Sequence, residues 1–314
     1  MPYFVLTDVE LSPAMLEMLD GKCTVEVWAG TATPDATLAR AEGLFTYGHP
    51  PVDGALMDRM SNLRVISNFG VGVDHINLEN AHTRGLPVGN TPGLVDGATA
   101  DMTFALLMAV ARNVVTGDHY ARSPEFTSYD PNILHGYEVY GATLGIVGMG
   151  AIGQQVAKRA RGFDMPILYH NRKRNPQAER ELNATYATLP DLLAQADYVT
   201  LNVPLTTETY HLIGRDELRQ MKSTAFLINA ARGGVVDHDA LHTALTEGWI
   251  AGAAIDVTEP EPLPRDHPLL QLENLVIAPH LGSATRQTRH NMARRSIDNL
   301  IAGLEGQPLL NRVA

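Results

Sequence analysis

Three residues in the second half of the chain, Arg232, Glu261 and His280, have the types needed for proton transfer on a carboxylate-bearing ligand. Each follows a short apolar run that reads as a β-strand. Phe226-Leu227-Ile228-Asn229-Ala230-Ala231 runs into Arg232-Gly233-Gly234, and Ala253-Ala254-Ile255 runs into Asp256 and the Glu259-Pro260-Glu261 loop. Val276-Ile277-Ala278-Pro279 runs into His280-Leu281-Gly282. A guanidinium can grip a carboxylate through two parallel hydrogen bonds. A histidine titrates near working pH and can pass a proton to an oxygen. A carboxylate bonded to that histidine fixes its tautomer and favours the protonated form. Taken singly, each has an ordinary alternative: Arg232 as a surface pair, Glu261 in an exposed Pro-rich loop, His280 as one of 12 histidines. Three on three strand ends argue for one site, because ligands of open α/β sheets gather beyond the carboxyl ends of the strands.

A further strand candidate, Thr143-Leu144-Gly145-Ile146-Val147, leads into Gly148-Met149-Gly150-Ala151-Ile152-Gly153. A helical pattern comes next, with Ile152, Val156 and Ala160 on one face. A lone GxGxxG arises by chance, but a strand before it, a helix after it and a second strand over 166–169 make a dinucleotide-binding unit. Gly148 permits the tight turn, Gly150 lets the backbone approach a pyrophosphate, and Gly153 lets helix and strand pack closely. The helix N-terminus then faces the anion.

Such a unit normally carries Asp or Glu at the end of its second strand, for the ribose hydroxyls of NAD. Here the chain reads Tyr169-His170-Asn171-Arg172-Lys173-Arg174, with three consecutive cations and no carboxylate. An arginine there can pair with a 2′-phosphate, so the pattern predicts a preference for NADP(H), with NAD(H) possible. The plainer alternative is a solvated basic turn. Beside a nicotinamide, which Asp256 is expected to meet, Arg232 would hold the carboxylate of a 2-oxo acid. His280 would protonate its carbonyl oxygen as hydride arrives, with Glu261 behind it.

The elements that must position these residues alternate almost throughout. Strand candidates fall at 3–7, 24–27, 43–47, 64–68, 143–147, 166–169, 198–202, 224–229, 252–256 and 274–278, with helix-length segments between most of them. That alternation predicts parallel sheets in an α/β fold. A long helix begins around Asp96, and after it comes an irregular stretch rich in Gly, Pro and Tyr from Arg122 to Gly141. A last helix, with Ser283 as its expected N-cap, carries Met292, Ile297, Leu300, Ile301 and Leu304 on an apolar face and stops near Gly306. Tyr47, Gly48 and His49 end a strand in the first domain, where they either face a ligand or form an ordinary loop.

The length of 314 residues predicts two domains, at roughly 150 residues each. A net charge of −11 argues against non-specific binding to nucleic acid or to an anionic membrane, which needs clustered basic residues. The single Cys23 fits a reducing compartment. The start of the chain has no basic region and only a short apolar run, so we expect a cytoplasmic protein. No metal ligand set is expected.

These motifs resemble, over nearly the whole chain, those of the D-2-hydroxyacid dehydrogenase family. The matching residues are Asn68-Phe69-Gly70-Val71-Gly72-Val73-Asp74, the 148–153 loop, Asn229-Ala230-Ala231-Arg232-Gly233-Gly234, Asp256-Val257-Thr258-Glu259-Pro260-Glu261-Pro262 and Pro279-His280-Leu281-Gly282-Ser283-Ala284. The resemblance implies two doubly wound parallel-sheet domains, a flavodoxin-like substrate domain (1–98 and 284–314) and a Rossmann cofactor domain (99–283), with the active site in the cleft between them. It implies that Arg232, Glu261 and His280 are catalytic, the family spacing from Asp256 selecting Glu261 over Glu259. The backbone of Val71 and Gly72, with Arg232 and His280, would bind substrate. Cofactor contacts would come from Gly148, Gly150, Ala151, Ile152, Gly153, Asn171, Arg172, Lys173, Arg174, Val203, Pro204, Ala230, Arg232, Asp256, His280 and Gly282. A homodimer is implied, with the segment 114–141 in its interface.

Within the family the chain looks most like the glyoxylate/hydroxypyruvate reductases, including those that reduce 2-ketogluconate, on the 165–169 strand with its basic residues and the 278–285 stretch. The expected activity is NADPH-dependent reduction of a small 2-oxo acid to the D-2-hydroxy acid. The alternatives are an NAD-dependent dehydrogenase of a bulkier 2-hydroxy acid and a nucleotide-sensing binding protein on the same scaffold. A formate dehydrogenase is disfavoured, since it would carry Gln in place of Glu261.

Overall fold

Aliphatic runs of four or five residues become strands here because both of their faces are covered, the usual condition of parallel sheets. The computed structural model describes residues 1–314, Thr31 by its backbone alone. The chain divides into two compact units, Met1–Val95 with Thr285–Ala314, and Asp96–Ala284.

The first unit holds a five-stranded sheet of β1 (Tyr3–Thr7), β2 (Cys23–Val27), β3 (Gly43–Thr46), β4 (Val65–Asn68) and β5 (Val88–Gly89). Its order is β2-β1-β3-β4-β5 and its pairs are parallel. That is the flavodoxin-like order of a doubly wound sheet. The second unit holds seven strands: β6 (Leu144–Val147), β7 (Ile167–His170), β8 (Ala184–Tyr186), β9 (Tyr198–Leu201), β10 (Phe226–Asn229), β11 (Gly252–Ile255) and β12 (Leu275–Ile277). The order β12-β11-β10-β9-β6-β7-β8 is parallel throughout and reverses direction between β6 and β9. In a Rossmann fold the ligand crevice opens at such a switch point.

Alternate residues of the central strands feed two cores, one on each face of the larger sheet. Leu144, Ile146, Phe226 and Ile228 join one, while Val147, Val199, Leu201 and Leu227 join the other. The helix Asp96–Ala111 is buried along most of its length because it packs on the helix Ala151–Ala160 and on β10, β11 and β12. A shorter helix, Val114–Arg122, comes after it and buries no residue. Among the described residues no single helix is long and apolar enough to cross a membrane.

Three features depart from the sequence-based expectations. β5 and β8, of two and three residues, are too short to leave a periodicity. The helix Arg286–Leu304 is capped by Thr285, whose Oγ1 accepts the N–H of Thr288 at 3.0 Å, and not by Ser283. Ser283 lies inside a turn closed by the Ala284 N–H on the Leu281 carbonyl, two residues too early to reach the first free amides of the helix. On that helix Met292, Ile297, Leu300 and Leu304 are buried and Ile301 only partly so.

Candidate active site

The glycines of the 148–153 loop have distinct steric reasons. Gly148 sits at φ +101°, and a Cβ there would lie 2.7 Å from the carbonyl of Asn202 at the end of β9. A Cβ on Gly153 would lie 2.0 Å from the Gly148 oxygen, so the first turn of the helix Ala151–Ala160 rides on the loop itself. Around Gly150, the helix N-cap, a Cβ would meet nothing within 4 Å. A tight turn, an open backbone position and a helix N-terminus with its free amides suit a pyrophosphate. The residues present therefore fit a dinucleotide. Val203 and Pro204 come after β9 next to this loop, and the Pro204 carbonyl accepts the Thr209 hydroxyl at 2.6 Å.

The basic turn is less uniform than its sequence. Asn171 spends its side-chain oxygen on the Met149 N–H at 2.8 Å, tying the glycine loop to the end of β7. Arg174 makes two hydrogen bonds to Glu179, at 3.0 and 2.8 Å, and its guanidinium stands over Tyr186. Arg174 holds the Glu179 carboxyl below the usual carboxylate range, and the Tyr169 hydroxyl, 2.6 Å away, adds to this. Arg172 and Lys173 are exposed. All three consecutive cations are thus exposed, and Arg174 among them braces the helix Pro176–Leu182. The brace is legible in principle: Asn175-Pro176 is a helix start, and it brings Glu179 round to Arg174.

At the far side of the switch point, β10 ends in Asn229, fully buried. Its amide donates to the Arg232 carbonyl at 2.9 Å and its oxygen accepts the Ala231 N–H at 3.0 Å, which fixes the turn through Ala230 that presents Arg232. The Arg232 Nη1 also donates to the Ala231 carbonyl at 3.0 Å. This turn lies hard against the next loop, since a Cβ on Gly233 would be 2.1 Å from the Thr258 carbonyl.

Asp256, at the end of β11, is 1% exposed and organises the histidine loop. Its two carboxylate oxygens accept the N–H groups of Leu281 at 2.7 Å and Gly282 at 2.6 Å, and its carbonyl accepts the His280 N–H at 2.8 Å. Burial pushes the Asp256 carboxyl up from its ordinary value, and the two N–H donors pull it back in part. The sequence assigns Asp256 to a nicotinamide; the contacts its carboxylate makes are to the 281–282 backbone. His280 itself adopts φ +57°, a left-handed conformation that a non-glycine residue keeps only when its surroundings enforce it. Its Nδ1 lies 2.6 Å from Glu261 Oε1. Of the two glutamates in that loop, Glu259 instead meets His211, at 3.2 Å.

In the first unit the 69–73 loop leaves the end of β4 with its carbonyls turned inward. The Phe69 carbonyl accepts the Thr91 hydroxyl, those of Gly70 and Gly72 accept the Asn68 amide, and that of Val71 accepts the Asn90 amide, all at 2.8–2.9 Å. A trans peptide points its N–H opposite to its C=O, so the N–H groups of Gly70, Val71 and Gly72 face outward as a row. A row of N–H groups of this kind has the chemistry to hold an anion. Tyr47 stacks on Phe69 at 4.2 Å, and Asp8 anchors the Tyr47 and Gly48 N–H groups at 2.6 and 2.7 Å. His49 packs edge-on to His75. Asn68 and Asn229, which with Asn90 shape the two loops, enter the sequence reading only as the first residues of two motifs, with no role, and Asn90 does not enter it. Their one signal is an Asn at a strand end just before a glycine-containing turn.

Among the described residues no group of three or more His, Cys, Asp or Glu is placed to hold a metal ion.

Residues 104–282 match the family model for the D-isomer specific 2-hydroxyacid dehydrogenase NAD-binding domain. A glyoxylate reductase of Korarchaeum cryptofilum is 45% identical over 304 residues, covering 95% of this chain and 92% of its own. One from Pyrococcus horikoshii is 46% identical over 315 residues, covering 96% and 94%. Among solved structures, a Thermus thermophilus protein superposes with a TM-score of 0.90 at 46% identity, covering 99% of this chain and 100% of its own. An NADPH-dependent glyoxylate/hydroxypyruvate reductase from Sinorhizobium meliloti, in complex with NADP and malonate, gives a TM-score of 0.89 at 31% identity, covering 100% and 97%. With a glycine loop built for a dinucleotide and likeness of this extent, the chain belongs to the D-isomer specific 2-hydroxyacid dehydrogenases, the NAD(P)-dependent oxidoreductases to which the glyoxylate reductases are related.

Proposed function

We propose that this enzyme reduces a small 2-oxo acid of the glyoxylate or hydroxypyruvate type to its D-2-hydroxy acid, with NADPH preferred to NADH. The observation that carries the reading is the 2.6 Å contact between His280 and Glu261, on the same edge of the parallel sheet as the 148–153 loop. The small-acid substrate is supported by the glyoxylate reductase relatives, and the cofactor preference by the lack of a carboxylate after β7.

When bound, the dinucleotide supplies the hydride for C2 of the substrate. The chain's own residues do the rest. Asp96–Ala284 is the cofactor domain in this reading, and the other unit is the substrate domain. Arg232 grips the substrate carboxylate, as do the outward N–H groups of Val71 and Gly72. With Nδ1 held by Glu261, His280 presents Nε2 as the proton donor to the carbonyl oxygen; in the reverse direction the same nitrogen takes the proton back. Asp256 serves by holding the backbone on which His280 sits. Asn171, Arg172 and Lys173 take the 2′-phosphate side of the cofactor.

The enzyme is proposed to be a homodimer, formed through the 114–141 segment, where Val114, Phe126, Tyr129, Leu134 and Tyr140 are exposed apolar side chains of the kind that mark an interaction surface. Cys23, its one cysteine, fits a reducing cytoplasm.

The deciding experiment measures the loss of nicotinamide absorbance with NADPH and NADH in parallel, across glyoxylate, hydroxypyruvate, pyruvate, 2-ketogluconate and phenylpyruvate. Faster NADPH turnover on glyoxylate or hydroxypyruvate is expected. A preference for NADH, or for phenylpyruvate, overturns the cofactor or the substrate assignment.

A further inference from the structure

The loop that carries Glu261 is gripped by groups that the proposed chemistry does not use. His238, at the start of the helix His238–Thr246, is 7% exposed. Its Nδ1 lies 3.0 Å from the carbonyl oxygen of Glu259 and 3.3 Å from the nitrogen of the same residue. One ring nitrogen cannot donate and accept at once. The shorter contact and the other nitrogen decide between the tautomers: His238 Nε2 is buried without a hydrogen-bond partner. A proton on Nε2 would strand a donor, and an orphaned buried N–H is the rarer defect. Nδ1 therefore carries the proton and donates to the Glu259 carbonyl.

The side chain of Glu259 is taken from another direction. His211 Nε2 lies 3.2 Å from Glu259 Oε2, and Tyr210 stacks on the His211 ring at 4.0 Å. A Cβ added at Gly234 would lie 3.1 Å from Glu259 Oε1, so the turn after Arg232 closes the remaining side. Within the loop, the Thr258 hydroxyl donates to the Pro260 carbonyl at 2.9 Å. Two residues past Glu259 the chain delivers Glu261 to His280. The charged and titratable groups around this loop are His211 and His238, His267 with its ring centroid 6.4 Å from that of His238, Arg232 on the turn that meets Thr258, and His280 and Asp256 at the Glu261 end.

We propose that His211, His238 and Glu259 are positioning residues, which hold the 258–261 backbone so that Glu261 stays in contact with His280. This rests on the reading of Glu261 and His280 as the reacting pair. The clamp acts on the backbone of one glutamate to set the side chain of another.

The test measures kcat for NADPH-dependent glyoxylate reduction against pH in the full-length enzyme, with Glu261→Gln as the reference. Removing the carboxylate should move the basic limb of the profile to lower pH by about one unit. His238→Leu should move the limb the same way and lower kcat by about ten- to a hundredfold, since a misplacement of 1 Å can cost that much. Its KM for NADPH should stay within about twofold of the parent value, because uniform binding is untouched. His238→Asn, whose amide nitrogen can stand where Nδ1 stood, should restore the limb. An unmoved limb in His238→Leu beside a moved one in Glu261→Gln overturns the clamp alone. An unmoved limb in Glu261→Gln removes the catalytic reading, and the clamp with it. Should His238→Leu not fold, His211→Phe carries the test at a half-buried ring: a shifted limb restored in His211→Gln supports the clamp, and an unmoved one overturns it.

Discussion

At the scale of single residues, the candidate site joins groups of opposite solvation. His280 and Glu261 are partly open to solvent, whereas Asp256 behind them is buried and spends both oxygens on backbone N–H groups. Replacing His280 with Asn should lower turnover by roughly 10²–10⁴-fold, the usual contribution of a positioned acid. A variant that kept more than half its turnover would remove His280 from that role. Asp256→Asn keeps the shape but turns an NH2 group towards one of the two N–H donors. It should lower the urea-unfolding free energy by about 1–3 kcal/mol, the cost of one stranded buried donor. His238 gives a pH signature of its own. Burial holds its ring below the ordinary histidine value, with the Glu259 carbonyl opposing in part. A base depressed in the folded state adds stability above its unfolded value, near 6.5, and loses it as pH falls towards the folded one, at about 1.4 kcal/mol per unit of depression. Unfolding midpoints measured from pH 7.5 down to 5 should therefore fall, and fall less in His238→Asn. Parallel curves would assign the acid lability to other groups.

At the scale of elements, strand ends and the turns that leave them carry the chemistry, and neighbouring elements set their aim. The basic turn after β7 shows this. Its three cations are consecutive in sequence, yet the helix Pro176–Leu182 draws Arg174 onto Glu179 and leaves Arg172 and Lys173 outward. Arg172→Ala should therefore raise the KM for NADPH by about tenfold, the scale of one charge-assisted contact, with little effect on NADH. Arg174→Ala should do less to that ratio and more to thermal stability. Equal losses for both cofactors in Arg172→Ala would make the basic turn a solvated surface. The 69–73 loop obeys the same logic, because the amides of Asn68 and Asn90 turn several peptide groups at once. Asn68→Ala should raise the KM for glyoxylate while leaving that for NADPH within about twofold, as expected for a loss of substrate binding alone.

At the scale of the whole molecule, the strands of both sheets differ in what the sequence reveals of them. Runs such as 226–229 and 252–255 are buried on both faces and read as strands without ambiguity, and the glycine loop is recognisable from its flanking periodicities. β5 and β8 are not legible, since two or three residues carry no period. The exposed apolar side chains of the 114–141 segment lead to a prediction at this scale. Sedimentation should give twice the chain mass of 34.1 kDa, and Phe126→Glu with Tyr129→Glu should shift it towards one copy by placing charge on the apolar patch. A single-copy mass for the parent protein would overturn the dimer.

Residue type and spacing alone determine the α/β class, the dinucleotide loop and the candidates Arg232, His280 and a glutamate of the 259–261 loop, because these are written in local periodicity and in the residues just past each strand. Tertiary structure decides which side chain meets which. That Glu261 rather than Glu259 reaches His280, that Arg174 is spent on Glu179, and that Thr285 rather than Ser283 caps the last helix all depend on turns and packing. Each is a choice between neighbouring residues of like type, and only the folded chain shows which of them comes within hydrogen-bond reach.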